Sequence, residues 1–250
     1  MDVSATAART RGFRYYDMLV AGMVAVLLCS NLIGPAKVCT VNLPLLGALT
    51  FGAGNLFFPI SYIFGDVLTE VYGYARARRA IWAGFGAMLF ATAMSQAILR
   101  MPASPAEPFN AQLQPALELV FGNTWRIALA SLVAYWIGDF ANSFVLAKMK
   151  LLTRGRWLWT RTIGSTLVGQ GVDSLTFYPI AFIGIWEGQT IFKVIAFNWL
   201  MKVAVEVVFT PITYAVVGFL KKREGVDAYD AGTRFTPFSL KDEGELQRYG

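Results

Sequence analysis

Six long apolar stretches fill most of this 250-residue chain and restrict what it can fold into. Hydrophobic residues make up 56% of the sequence, and charged residues make up only 15%. A soluble domain carries about 25% charged residues, whereas a helix that crosses a bilayer needs about 20 mainly apolar residues. The composition and its layout therefore predict an integral membrane protein.

The apolar stretches predict an all-α, polytopic protein with six transmembrane helices in one bundle. These spans are residues 17–33, 55–72, 80–99, 125–147, 163–186 and 191–220. A further apolar stretch, Val38–Gly54, is interrupted by Pro44 and three glycines, so we expect an extended or re-entrant loop there and not a full span. Residues 1–250 are predicted to be a single transmembrane domain, with a core at about 15–222 and a flexible cytoplasmic tail at 223–250.

The positive charges are distributed unevenly between the two sides of this predicted bundle. Seventeen of the 22 lysines and arginines lie in the N-terminal segment, the loops after the second and fourth spans, and the tail, and four lie on the opposite side, in loops or at span ends. The positive-inside rule therefore predicts a bacterial inner-membrane protein with both termini in the cytoplasm.

Anionic lipid headgroups account for the net charge of +6, so we predict no nucleic-acid partner. The chain has no histidine and two cysteines, and we expect no metal and no cofactor.

Four of the predicted spans carry polar residues at helical spacing, so that each span has one polar stripe. The stripes contain Tyr62, Asp66 and Glu70; Asp139 and Asn142; Gln170 and Asp173; and Lys202 and Glu206. Counted from the flanking basic residues at 1.5 Å per residue, Asp66, Asp173 and Lys202 lie roughly 14 to 18 Å deep, near the midplane of the bilayer. Transporters hold their solutes at this depth, and ionisable residues there are costly and usually functional.

Several roles for these residues remain open at the level of sequence. Lys202 is expected to pair with Asp173 or with Asp66, which would lower the free-energy cost of burying both charges. Glu70 and Glu206 either belong to a functional site or pair with nearby arginines and lysines.

Four sequence pieces resemble the vitamin-uptake-like family of queuosine precursor transporters, over roughly residues 15–222. The pieces are Ser30-Asn31; the run FPISYIFGDVLTEVYG at Phe58–Gly73; Ser165-Thr166-Leu167 with Gly169, Gln170 and Asp173; and Lys202 with Pro211. The resemblance implies uptake of a deazaguanine base, in its cyano or aminomethyl form, for the salvage of tRNA queuosine. It implies a transporter and not an enzyme. The family is also similar in helix number to the substrate-binding subunits of energy-coupling-factor vitamin transporters.

A guanine-like base suits the polar residues of the spans. Its ring N–H and exocyclic amine lie side by side, and a carboxylate can accept both in a bidentate pair. We therefore predict Asp66 or Asp173 as that carboxylate, with Lys202 as its counter-ion or as a donor to the cyano or carbonyl end. The other predicted binding residues are the amides Asn31 and Gln170, and the ring of Tyr62, Phe177 or Trp199 for stacking. Secondary or proton-coupling roles are predicted for Glu70, Asp139, Asn142 and Glu206.

Two other functions fit the same sequence. One is a proton-coupled or energy-coupling-factor-like carrier of another small heteroaromatic solute or vitamin. The other is an intramembrane aspartyl enzyme, in which Asp66 and Asp173 share a proton. The chain contains no Gly-x-x-x-x-Gly-Lys motif, so any ATP hydrolysis would come from an energising partner subunit. The sequence leaves such a partner, and homo-oligomerisation, undecided.

Overall fold

The structure of the chain is a computed structural model, and it describes residues 13–32, 38–43, 47–52, 57–122, 125–239, 241 and 245–248. Seven α-helices and four short strands lie within these ranges. The helices are α1 (Tyr16–Leu32), α2 (Phe58–Tyr72), α3 (Tyr74–Arg100), α4 (Asn110–Phe121), α5 (Trp125–Leu152), α6 (Leu158–Phe182) and α7 (Gly188–Glu224). The strands are β1 (Val38–Leu43), β2 (Gly47–Gly52), β3 (Val226–Tyr229) and β4 (Glu245–Arg248).

Each of the six predicted spans coincides with one long helix, namely α1, α2, α3, α5, α6 and α7. Within the described residues, three helical segments are long and apolar enough to cross a membrane by length and composition: Tyr74–Arg100, Arg126–Leu152 and Gly188–Glu224. The segment Tyr16–Asn31 is a shorter apolar helix. The all-helical membrane fold is therefore confirmed, and the number of six crossings stays a prediction.

Two segments between the predicted spans have regular structure. Strands β1 and β2 pair in an antiparallel hairpin in which Val38 lies opposite Gly52. The sequence predicted an extended or a re-entrant loop here, and the two strands are extended. Helix α4 lies between the third and fourth predicted spans, where the sequence predicted no helix. The side-chain amide of Gln114 on α4 donates to the Leu99 carbonyl oxygen at 3.2 Å, which holds α4 against the end of α3.

The bundle places apolar side chains outside and charged side chains inside. Large apolar residues on α3 and α7 are exposed, including Phe90, Phe192 and Val208, whereas Arg161 and Glu206 are buried. A soluble protein has the opposite arrangement, since charged residues are rarely fully buried in it. An exposed apolar surface suits lipid, and the buried charges must then be paired or functional.

The start of α1 and the ends of α2 and α7 meet at one end of the bundle. The Glu224 carboxylate at the end of α7 accepts hydrogen bonds from the backbone N–H groups of Arg14 and Tyr15, at 3.1 and 2.9 Å. It also accepts one from the Tyr72 hydroxyl at 2.8 Å. Most of the basic residues counted in the sequence flank these helix ends, and we call this part of the molecule the basic end.

The first part of the C-terminal tail, residues 226–238, runs across the basic end, and we call it the C-terminal strap. The Asp230 carboxylate accepts the backbone N–H of Tyr74 at 3.1 Å, at the start of α3. The Arg78 guanidinium donates to the Thr236 carbonyl oxygen at 2.8 Å, and the Trp82 indole N–H donates to the Pro237 carbonyl oxygen at 2.7 Å. These contacts hold the strap on the helices. The flexibility predicted for the tail at 223–250 stays a prediction.

Candidate functional site

Helix α2 carries Asp66 into the centre of the bundle. The next residues, Val67 and Leu68, belong to a buried apolar cluster with side chains from α1, α3, α6 and α7. Asp66 is 0% exposed, and one of its carboxylate oxygens accepts a hydrogen bond from the Asn142 amide on α5 at 3.1 Å. The other oxygen, Oδ2, has no hydrogen-bond partner among the described residues. The predicted carboxylate Asp66 and the predicted secondary residue Asn142 therefore belong to one polar group.

Two glycines let α5 and α6 approach closely beside these polar residues. A Cβ atom built on Gly169 would lie 2.6 Å from the Cβ of Asn142, and one built on Gly138 would lie 2.9 Å from the Cβ of Asp173. Larger side chains at either glycine would separate the two backbones. Small residues commonly permit such contacts between membrane helices. This contact fixes the positions of Asn142 and Asp173.

Helices α6 and α7 are joined by an ion pair between Asp173 and Lys202. The Nζ atom of Lys202 lies 2.7 Å from Oδ2 of Asp173, and the two side chains are 14% and 24% exposed, respectively. The sequence predicted Asp173 or Asp66 as the partner of Lys202, and the ion pair observed here is with Asp173. Both side chains are partly exposed, whereas those of Glu70 and Arg161 are buried.

Asp139 lies within electrostatic reach of both charges of this pair. The Asp173 carboxylate repels it and the Lys202 ammonium attracts it. Asp139 and Asn142 are three residues apart on α5, so they lie on the same face of that helix. One turn of α5 thus connects the Asp173–Lys202 pair to the Asp66–Asn142 contact. This arrangement brings polar residues of α2, α5, α6 and α7 into a continuous region.

Glu206 is a second buried acid near Asp66. It is 1% exposed on α7, and neither of its carboxylate oxygens has a hydrogen-bond partner in the described ranges. Among the charged groups that act on Asp66, Glu206 exerts the strongest repulsion. The predicted alternative, in which Glu206 pairs with an arginine or lysine, is not what the described residues form.

The remaining predicted binding residues have different environments. Gln170 is buried on α6, 8% exposed, one turn before Asp173. The Asn31 amide at the end of α1 donates to the Leu27 carbonyl oxygen at 2.9 Å and to the Ser30 hydroxyl at 3.1 Å, both within its own helix. Tyr62 lies in α2, but its side chain falls outside the described part of the molecule. The Trp199 indole N–H donates to the Leu167 carbonyl oxygen at 2.9 Å.

Glu70 belongs to a separate ionic cluster at the basic end. Its carboxylate accepts two hydrogen bonds from the Arg161 guanidinium, at 2.7 and 2.8 Å, and one from the Lys221 ammonium at 2.6 Å. Lys150 lies 3.3 Å from the same carboxylate, and Lys221 also contacts Asp227 of the strap at 2.8 Å. Glu70 thus pairs with nearby basic residues, which is one of the two roles that the sequence left open for it. A secondary or proton-coupling role for it stays a prediction.

Sequence reasoning missed most members of this cluster, because Lys150 and Arg161 were counted as loop charges and Asp227 as part of the tail. Tyr229 completes the cluster, with its ring centroid 4.8 Å from the Lys150 ammonium. Burial, and secondarily the charge of Asp227, raise the pKa of the Tyr229 phenol above its ordinary value. The phenol therefore stays neutral beside the lysine. No local pattern in the sequence points to these pairings.

An apolar groove of about 510 Å³ lies elsewhere, between α1, α2 and α7 near the basic end. Met18, Phe64 and Val216 are among its lining residues. Its lining is apolar, so it offers no hydrogen bonds to a polar base, and we place the candidate site at the polar residues of the four helices.

A helical bundle that is apolar outside and holds accessible ionisable groups between its central helices has the construction of an integral membrane transporter. The chain belongs to the vitamin uptake transporter family, since residues 52–216 match the family described as "Putative vitamin uptake transporter". Over 189 residues it is 34% identical to the "Probable queuosine precursor transporter" of Bacillus subtilis (strain 168), a match that spans 73% of this chain and 80% of that protein.

A second relative is the "Queuosine precursor transporter" of Escherichia coli (strain K12). It is 27% identical over 177 residues, which span 68% of this chain and 74% of that protein. No solved structure matches the chain significantly. The family resemblance that the sequence pieces indicated is thus confirmed.

Proposed function

We propose that this protein imports queuosine precursors, deazaguanine bases in their cyano or aminomethyl form, across a bacterial inner membrane. The names of the two relatives support this substrate class. The observation that carries the proposal is the Asp173–Lys202 pair, which joins two helices at 2.7 Å and is partly accessible. A carrier needs such a site, where a solute can exchange partners with charges of the protein.

In this proposal, Asp173 is the carboxylate that binds the base. Its accessibility favours it over Asp66, which is completely buried. The ring N–H and the exocyclic amine of the base would bind the two oxygens of Asp173. Lys202 would then donate to the carbonyl or cyano end of the same base. Gln170, one turn away on α6, would serve a remaining ring nitrogen.

Asn31 and Tyr62 complete the proposed binding set, as an amide partner and as a stacking ring. Asp139 is proposed to tune the charge of the Asp173–Lys202 pair, since it interacts electrostatically with both members. This role is secondary because Asp139 does not need to contact the base.

We also propose six membrane crossings with both termini in the cytoplasm. The meeting of the start of α1 with the end of α7 at Glu224 supports an even number of crossings. The clustering of basic residues at the same end supports its cytoplasmic placement.

The alternatives from the sequence receive less support. An aspartyl enzyme would need Asp66 and Asp173 to share a proton, but the Asp173 carboxylate contacts Lys202 instead. A carrier of another heteroaromatic solute would use the same pair, and substrate screening separates it from the proposed function.

The decisive experiment measures uptake of a labelled deazaguanine base by cells that lack their own synthesis and express only this protein. We expect uptake by the parent and its loss in Asp173→Asn and Lys202→Met. Lys193→Met is the matched control, because Lys193 is an exposed lysine of the same helix. If the parent shows no uptake while the purified protein is thermally stabilised by an unrelated vitamin, the alternative carrier replaces this proposal.

A further inference from the structure

The strongest unexplained feature of the interior is the pair of buried acids, Asp66 and Glu206. Four acids are buried among the described residues, and two of them have clear partners: Glu70 in the ionic cluster and Asp230 at the start of α3. Asp66 and Glu206 contact no described cation. Burying an unpaired carboxylate costs far more free energy than burying a neutral carboxylic acid.

The hydrogen-bonding groups of this pair consist mainly of unused acceptors. Asp66 has one oxygen without a partner, Glu206 has two, and the side-chain oxygen of Asn142 is a fourth. The Asn142 amide N–H contacts Asp66, and it is the one donor that the described residues supply to these carboxylates. Buried acceptors without donors are rare in proteins, and each requires an explanation.

The charges around the pair do not compensate for it. The charges that act most strongly on Asp66 belong to acids: Glu206 from α7, Glu70 from its own helix, and Asp139 from α5. Glu70 is neutralised by its own cations, and the Lys202 ammonium on α7 contacts Asp173. Two neighbouring carboxylates in a low-dielectric site cannot both be ionised at low free-energy cost.

We propose that Asp66 and Glu206 form a proton-binding site, and that the bound proton travels with the solute and couples uptake to the proton gradient. This inference rests on the proposed function. A proton passes from water on one side to the carboxylate pair, and later from the pair to water on the other side. No bond of the solute breaks. The proton supplies the missing donor, since a protonated carboxyl can donate to the neighbouring carboxylate.

The first test uses the purified protein in lipid vesicles with the membrane potential clamped at zero. A gradient of one pH unit, acidic outside, can drive about tenfold accumulation of a neutral solute that moves with one proton. We expect the parent to accumulate the labelled base accordingly. In Glu206→Gln the gradient should drive no accumulation, whereas exchange of labelled for unlabelled base without a gradient should continue, because the Asp173–Lys202 pair is intact. Glu187→Gln, an exposed acid at the start of the same helix, is the matched control.

Two results would overturn the inference while leaving the proposed function intact. One is uptake by the parent that ignores the pH gradient, and the other is normal gradient-driven accumulation by Glu206→Gln. Loss of exchange in a well-folded Glu206→Gln would instead make Glu206 a solute-binding residue, and this also overturns the inference.

A second measurement does not depend on any solute. Infrared spectroscopy detects a protonated carboxyl group through its C=O band, and we expect this band in the parent at neutral pH. It should weaken in Glu206→Gln and persist in Glu187→Gln. An unchanged band in Glu206→Gln would contradict the proposal even if the transported base had been identified wrongly.

Discussion

The ammonium of Lys202 and the carboxylate of Asp173 lie 2.7 Å apart, and each is more accessible than the ionic contacts around Glu70. An ion pair used only for stability could be fully buried, as the Glu70–Arg161 pair is. Partial exposure leaves the Asp173–Lys202 pair free to exchange partners with a bound solute, as the proposed function requires. This difference separates the pair proposed to bind a solute from the cluster that holds the helices together.

Neutralising one member of the Asp173–Lys202 pair should destabilise the protein more than neutralising both. Lys202→Met leaves a carboxylate without its cation, and we expect a loss of about 1–3 kcal/mol, since water still screens the site. The double variant Lys202→Met with Asp173→Asn should recover most of this loss but no uptake. Thermal unfolding in detergent measures the first effect. Equal melting temperatures for the single and double variants would contradict the ion pair.

Glu70 and Glu206 offer a matched comparison, because both are buried glutamates. Glu70→Gln leaves the cations Lys150, Arg161 and Lys221 without their shared acid, and loss of one partner of a buried ion pair costs about 3–5 kcal/mol. Glu206→Gln removes an acid whose carboxylate oxygens have no hydrogen-bond partner among the described residues, so its stability should be unchanged or higher. Melting temperatures of the two variants test this prediction, and a loss of stability in Glu206→Gln as large as that in Glu70→Gln would be incompatible with it.

Substitution by alanine should destabilise the protein at the two glycines of the contact between α5 and α6, but not at a third glycine outside that contact. Alanine at Gly138 or Gly169 would place its Cβ within 3 Å of the Cβ of Asp173 or Asn142, which cannot rotate away. We expect each change to cost about 1–3 kcal/mol and to reduce uptake. Gly218→Ala is the control, since a Cβ there meets nothing within 4 Å, and it should gain up to about 1 kcal/mol of helix stability. The order of melting temperatures tests this prediction; equal effects at the three positions would refute it.

Asp230→Ala should release the C-terminal strap from the start of α3. The lost hydrogen bond to the Tyr74 N–H resembles the loss of a helix cap and should cost about 0.5–2 kcal/mol. In a background without Cys29 and Cys39, a cysteine replacing the buried Ala228 should react slowly with a polar thiol reagent. Adding Asp230→Ala should speed this reaction.

A cysteine replacing Ala231 provides the control for the strap, because this position is exposed already. Its labelling should be fast with or without Asp230→Ala. If the cysteine at position 228 labels as fast in the parent as in Asp230→Ala, the strap is not held by this contact.

The helices could be predicted from sequence because hydrophobicity over about 20 residues is a local property. Helical spacing likewise indicated that Asp66, Asp173 and Lys202 face the interior. Spacing within one helix does not determine which neighbour a residue meets, so the sequence offered both Asp66 and Asp173 as partners of Lys202. The structure shows the contact with Asp173. Asp227 could not be assigned at all, since its partners are Lys150 and Lys221, and nothing local links a polar tail to them.

Helix α4 was missed for a related reason. It contains Pro115, which is unfavourable inside a helix, and its contacts with the end of α3 are made by side-chain amides of Gln96 and Gln114. Such contacts appear only when the chain has folded back. The same holds for Glu206, because the absence of a partner for it among the described residues is a property of the assembled bundle.

The hydrogen bonds that the Glu224 carboxylate accepts near the start of α1 have a consequence for biosynthesis. The backbone amides of Arg14 and Tyr15 find their acceptor 210 and 209 residues later in the chain. A ribosome makes the first helix early, and these two amides must be served by water or lipid headgroups until the last helix has been translated. The start of α1 can therefore be fixed to the rest of the bundle only after α7 is complete. In a chain truncated before Glu224, the first helix should lack this attachment.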